Sequence, residues 1–96
     1  MIDASKHDDA IQAALRQDWK KAILFNTTIL KTEKKNTDAY NRLGFALLKS
    51  GHIKKAKETF EKVLSFDPYN QIAAKNLHKL ASTKRDALIT TNTCDI

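Results

Sequence analysis

The chain has 96 residues and a formal net charge of +6, and 42% of its residues are hydrophobic. This length allows one small domain with a limited core, and no apolar run approaches the roughly 20 residues of a membrane span. A lone cysteine, Cys94, excludes an internal disulfide. Because the first residues are polar and acidic, unlike a signal peptide, we expect a cytoplasmic protein.

Apolar residues recur at three- and four-residue steps along most of the chain, which predicts amphipathic helices. The first helix is expected from about Lys6 to Arg16, and a turn at Gln17-Asp18 leads to a second helix from Trp19 to about Lys31. Trp19 is interpreted as a packing residue rather than a recognition residue. The residues predicted to face inward from the first helix are Ala10, Ile11, Ala14 and Leu15.

A helical hairpin is predicted next, from about Thr37 to Asp67. Thr37 is the expected N-cap of its first helix. Gly51 can adopt the left-handed conformation that ends this helix and opens a turn. The second helix ends before Pro68, which cannot continue a helix. A closing helix is expected from an N-cap near Asn70 to about Ser82, and its predicted inward residues are Ile72, Ala73, Leu77 and Leu80.

Small residues at Gly44 and Ala56 would let the two helices of this hairpin approach closely, with larger side chains beside the crossing. This spacing resembles the helix–turn–helix pattern of the tetratricopeptide repeat over Thr37 to Asn70. The positions that carry the repeat pattern, here and in the neighbouring copies, are Trp19, Ala22, Tyr40, Leu43, Gly44, Gly51, Ala56, Phe60, Pro68 and Leu77.

The pattern recurs after a shift of about 34 residues. Ala22 then falls on Ala56, and Gln17 falls on Gly51. The upstream copy departs from the family because Asn26 stands where Phe60 stands; Lys34 likewise replaces Pro68, and Asp9-Ala10 replace Leu43-Gly44. We therefore expect an all-α, right-handed stack of antiparallel helix hairpins. Repeat one would cover about 3–36, repeat two about 37–70, a capping helix about 71–83, and a flexible tail 84–96.

Residue types that carry catalysis or bind metals are present without the required arrangement. His7, His52 and His78 lack the spacing of a zinc site, which needs about four converging ligands. The two glycines lie outside any phosphate-binding loop, and Cys94 has no neighbouring base. The sequence predicts a non-enzymatic protein without a cofactor or metal.

The family resemblance implies a concave groove, formed by the first helix of each hairpin, that receives a peptide or partner protein. Phe45 is either an anchor in this groove or a contact to the neighbouring repeat. Some relatives bind a C-terminal carboxylate with lysine and asparagine side chains from three first helices, and His7 and Ile11 leave that set incomplete here. Lys75 and Lys79 favour an acidic partner. The predicted groove residues are His7, Ile11, Asn41, Phe45, Leu48, Lys49, Lys75 and Lys79.

Two alternatives remain open at this point. Lysine groups such as Lys54-Lys55-Lys57 and Lys84-Arg85 would suit nucleic-acid or ribosome association, but they are interleaved with acidic residues, and no aromatic stacking row accompanies them. Self-association through the unpaired closing helix would give a weak homodimer instead of a monomer.

Overall fold

The computed structural model describes residues 4–81, and this part of the chain is helical throughout apart from short turns. Four helices have both ends defined: α1 at Ala4–Leu15, α2 at Trp19–Thr32, α3 at Thr37–Lys49 and α4 at Ile53–Phe66. A fifth helix, α5, covers residues 71–81. No strand occurs between residues 4 and 81, so the all-α prediction is confirmed. The tail expected at 84–96 lies outside the described residues.

Each helix packs against the next one along the chain. α1 packs on α2, α2 on α3 and α3 on α4, and α1 also contacts α3. Because three- or four-residue turns join consecutive helices, each reverses the direction of the one before it. Leu77 and Leu80 of α5 pack against the core formed with α4. The result is a helical stack in which α1, α3 and α5 are the first helices of successive units.

The turn inside each hairpin has the same geometry in both copies. Gln17 has φ 59° and Gly51 has φ 89°, so both adopt the left-handed conformation at positions 34 residues apart. The backbone N–H of Asp18 donates to the Ala13 carbonyl at 2.9 Å, and His52 N–H donates to the Leu47 carbonyl at 2.8 Å. These bonds satisfy carbonyls at the end of a helix. The prediction for Gly51 is confirmed, and Gln17 adopts the conformation without being glycine.

The turns between hairpins also recur. Asn36 Oδ1 accepts from the Ala39 backbone N–H at 2.9 Å, and Asn70 Oδ1 accepts from Ala73 N–H at 3.0 Å. Both asparagines are therefore N-caps, as predicted for Asn70. The N-cap prediction for Thr37 was wrong by one residue, because Thr37 is already helical and the neighbouring Asn36 side chain reaches the free N–H.

The core of the second hairpin is built around one aromatic side chain. Phe60 is fully buried, and it clusters with Leu47, Ala56 and Val63. A Cβ atom placed on Gly44 would lie 2.7 Å from Phe60 Cζ, closer than two carbon atoms can approach. Glycine at this position therefore makes room for the Phe60 ring itself.

The core of the first hairpin is made of smaller side chains. Ala10 and Ile29 are buried in one cluster, and Ala13 and Ala22 are buried in another. The prediction that Ile11 and Leu15 face inward was wrong, because they keep 41% and 71% of their surface exposed. Alanines fill the inner face of α1 because small side chains permit close helix packing. The prediction was also wrong for Ile72 of α5, which is 55% exposed.

Candidate functional site

A cleft of about 330 Å³ lies on the side of the stack formed by the first helices. Its surface is mostly apolar, with a few polar groups among the apolar ones. Clefts with this composition are typical of binding sites in proteins. The residues that line the cleft are Ala14 from α1, Asp38, Asn41, Arg42 and Phe45 from α3, and Ile72 and Asn76 from α5.

Helical spacing explains why α3 supplies most of the lining. Asp38, Arg42 and Phe45 are separated by four and three residues, so they share one face of the helix. Ile72 and Asn76 have the same four-residue separation on α5. The two helices therefore present matching stripes to the cleft, and α1 adds Ala14.

Phe45 is the largest apolar side chain in the cleft. It is 39% exposed, and its ring centroid lies 5.7 Å from that of Trp19 in an edge-to-face arrangement. Lys49 Nζ lies 5.3 Å from the Phe45 ring centroid, within cation–π range. Phe45 thus contacts Trp19 of the first hairpin and leaves part of its ring exposed, while its role as a binding anchor stays a prediction.

Asn41 lies at the base of the cleft with 6% of its surface exposed. Its Nδ2 donates to Asn70 Oδ1 at 3.1 Å. The same Asn70 oxygen accepts from the Ala73 backbone, and Asn70 Nδ2 donates to Asp67 at 3.0 Å. These partners fix the orientation of both amides. Asn41 Oδ1 is consequently buried, and no residue in the described part of the chain donates a hydrogen bond to it.

Arg42 is held in the cleft by a residue of the first hairpin. Its Nε donates to Asn26 Oδ1 at 2.9 Å, and Asn26 is fully buried. Its Nη2 is also buried but has no partner within the described segment. Burial lowers the pKa of Arg42, while the charges of Asp38 and Glu33 act in the opposite direction. Neither carboxylate comes within ion-pair distance of the guanidinium among the ion pairs of residues 7–81.

The cleft contains two of the predicted groove residues, Asn41 and Phe45. Ile11 lies exposed on α1, and Leu48 is half-buried against the core of the second hairpin. Three predicted lysines are exposed and do not line the cleft: Lys49 on α3, and Lys75 and Lys79 on α5.

His7, the remaining predicted groove residue, contacts the end of α2. Its Nε2 lies 2.7 Å from Glu33 Oε2. The hydrogen bonds from His7 and Asn36 lower the pKa of Glu33, in that order of effect. This contact ties α1 to the segment that follows α2 and lies outside the cleft lining.

The sequence-based list missed five lining residues: Ala14, Asp38, Arg42, Ile72 and Asn76. A signal for three of them existed. Asp38 and Arg42 share the helical stripe of Phe45, and Ile72 follows Asp38 by one repeat length. Nothing in the local sequence indicated that Arg42 bonds to Asn26, 16 residues away on another helix.

Neither a metal-binding cluster nor a membrane-spanning helix occurs in the described part of the chain. Residues 7–81 contain no group of three or more histidine, cysteine, aspartate or glutamate side chains able to hold a metal ion. Among the described helices, none has the length and hydropathy needed to cross a membrane.

Successive helix pairs that pack side by side, with a cleft along the first helices, define a helical-repeat protein. Residues 37–70, which contain α3, α4 and the turn between them, match the family model of the tetratricopeptide repeat. This segment is similar to a tetratricopeptide repeat, so the predicted resemblance is confirmed over residues 37–70. Repeats of this family are non-enzymatic modules that mediate protein–protein interaction. Searches of curated proteins and of solved structures found no match.

Proposed function

We propose that this chain is a protein-interaction module that binds a segment of a partner protein in the cleft formed by α1, α3 and α5. The observation that carries the proposal is the pairing of exposed apolar side chains, Phe45 and Ile72, with the buried polar residue Asn41 in one cleft. Apolar side chains supply most of the free energy of such binding, and a few oriented polar groups supply specificity.

A division of the chain into successive repeats fits this proposal. We infer that α1 and α2 form a degenerate first repeat, since both turn geometries recur 34 residues later in the repeat that matches the family. α5 would then act as the first helix of a third unit and close one side of the cleft. The module would act by binding alone, without a catalytic step, and its cytoplasmic location stays a prediction.

The proposal is tested with a library of random peptides selected against the immobilised chain. Peptides that bind should be retained by the parent chain and lost when Phe45→Ser removes the apolar anchor. Tyr69→Ser is the matched control, because Tyr69 is 91% exposed and lies outside the cleft. Circular dichroism must show that both variants keep the helical fold. Selected peptides that bind the Phe45→Ser variant as well as the parent would contradict the proposal.

Nucleic-acid binding is a second candidate because α4 exposes Lys54, Lys55 and Lys57 on its surface. The same helix exposes Glu58 and Glu61, which reduce the net positive charge of that surface. Binding of mixed RNA that weakens steeply with salt, and that is unaffected by Phe45→Ser, would favour this candidate. Light scattering over a concentration series separates either function from self-association.

A further inference from the structure

Two residues that line the cleft each have a buried polar atom without a hydrogen-bond partner among the described residues. Asn41 Oδ1 lacks a donor, and Arg42 Nη2 lacks an acceptor. Their residues are adjacent on α3, and both line the cleft. Most buried polar atoms in proteins have a partner, and a buried charge without a counterion is unfavourable. A ligand that offers one donor and one anionic acceptor would complete both groups.

The orientation of these two groups is fixed by their other hydrogen bonds. Asn70 holds the Nδ2 side of Asn41, so the free atom is an acceptor and needs an N–H group. Asn26 holds Arg42 Nε, which leaves the terminal guanidinium nitrogens for an anion. The site is therefore preorganised by residues outside the cleft rather than by flexible surface side chains.

We propose that the cleft recognises a partner segment in which an apolar residue adjoins an internal aspartate or glutamate. In this proposal, which rests on the function proposed above, Arg42 binds the carboxylate and Asn41 Oδ1 accepts a main-chain N–H. The apolar side chain would lie among Ala14, Phe45 and Ile72. The charge of Arg42 complements the carboxylate, and an N–H is available on any extended or turning peptide.

A side-chain carboxylate fits this site better than a free chain end. The cleft offers one guanidinium, and Asp38 shares the lining, so it suits a single carboxylate better than the two carboxylates of an acidic residue at a chain end. The lysines that would help to bind a second carboxylate, Lys75 and Lys79, do not line the cleft. A segment that continues in both directions also brings main-chain N–H groups to Asn41.

Binding should alter the surroundings of the chain's one tryptophan. A ligand whose apolar side chain packs on Phe45 changes the contacts of that ring. Phe45 is part of this lining, and its ring contacts Trp19. Trp19 fluorescence therefore provides a readout that needs no label.

The test selects peptides from a random library displayed between two linkers, so that neither peptide end is free. Peptides that bind the parent chain should be enriched in an apolar residue next to aspartate or glutamate. The Arg42→Gln variant should keep the apolar preference and lose the acidic one. The Lys75→Gln/Lys79→Gln double variant is the control and should retain both preferences. Enrichment without an acidic residue, or an acidic preference that follows the lysines, would overturn the proposal.

A titration then measures the effect in solution. A selected peptide, acetylated and amidated, should lose about tenfold or more in affinity when its acidic residue becomes the neutral amide. On Arg42→Gln the same change should alter affinity by about twofold or less. Equal losses on both proteins would contradict the role of Arg42, whereas a library without any binding peptide would overturn the proposed function itself.

Arg42→Gln leaves Asn26 without its partner and can unfold the chain. The double variant Asn26→Leu/Arg42→Met removes both polar groups and keeps the core filled, so it serves as the folded alternative. Its selected peptides should also lack the acidic preference. If this folded variant retains that preference, Arg42 is not the carboxylate-binding residue.

Discussion

The two hairpins share their turns and differ in their cores. Both have a left-handed residue after the first helix and an asparagine cap after the second. At the central core position, however, α4 has Phe60 whereas α2 has Asn26, and both are fully buried. The comparison shows that the hydrogen bonds in the turns preserve the hairpin geometry even though the central core residue is aromatic in one hairpin and polar in the other. The polar residue in the first hairpin has a use, since it holds Arg42 in the cleft.

The largest difference expected between the hairpins is their dependence on an aromatic core. Phe60→Ala should lower the free energy of unfolding by about 3–5 kcal/mol, because it leaves a cavity in the main core cluster. That is a large share of the stability of a small domain. Tyr69→Ala removes an exposed aromatic side chain and is the control. Urea unfolding measures both, and equal effects would refute the assigned core.

Substitution of Asn26 tests how much the polar core residue of the first hairpin contributes to stability. Asn26→Leu should lower the free energy of unfolding by about 1–3 kcal/mol, since the buried Arg42 Nε–H loses its acceptor. Adding Arg42→Met should recover most of this loss, because a buried polar pair can be replaced by apolar side chains at little cost. Thermal unfolding of the single and the double variant shows which of them is more stable. A double variant less stable than the single one would argue against the pairing.

Adding a single methyl group at Gly44 tests how tightly α3 packs on Phe60. Gly44→Ala should be destabilising by about 1 kcal/mol, because overpacking against Phe60 of about 1–3 kcal/mol exceeds the gain in helix propensity of about 1 kcal/mol. In a Phe60→Leu background the alanine should be better tolerated. A double-mutant cycle by urea unfolding measures this coupling. Additive effects would mean that the two positions do not touch.

Exchanging glycine and glutamine at the left-handed turn positions should change the stability by a smaller amount, with opposite sign in the two hairpins. Gln17→Gly should stabilise the chain by about 0.5–1 kcal/mol, because φ 59° is unfavourable for a residue with a Cβ atom. Gly51→Gln should destabilise it by a similar amount for the same reason. Melting temperatures of the two variants provide the check, and shifts in the same direction would show that the turns differ.

The smallest expected effect is on the stability of the chain at acidic pH. Hydrogen bonds from His7 and Asn36 place the pKa of Glu33 below its ordinary value of 4.5. The unfolded chain therefore binds a proton first as the pH falls, so this contribution is present above about pH 4.5 and is lost at lower pH. Glu33→Gln should flatten the fall in Tm between about pH 5 and pH 3. An unchanged slope would show that other carboxylates govern it.

Much of the fold was predictable because the turns carry local signals. The predicted turn at Gly51 and the predicted helix end before Pro68 both agree with the observed bounds of α4, Ile53–Phe66. The inner face of α1 was predicted correctly at Ala10 but not at Ala13, since close packing selects this alanine over the more apolar Ile11. Of the residues that line the cleft, helical spacing predicted only Asn41 and Phe45. The Arg42–Asn26 contact depends on how two helices pack, which sequence periodicity does not specify.

The most direct test of the central claim is to map backbone amide chemical shifts while a library-selected peptide is added to the isotope-labelled chain. The account predicts changes concentrated on the residues of α1, α3 and α5 that line the cleft, including Asn41, Arg42 and Phe45. The exposed face of α4, marked by Lys54 and Glu61, should stay unchanged. Changes confined to α4, with the cleft unaffected, would contradict the account.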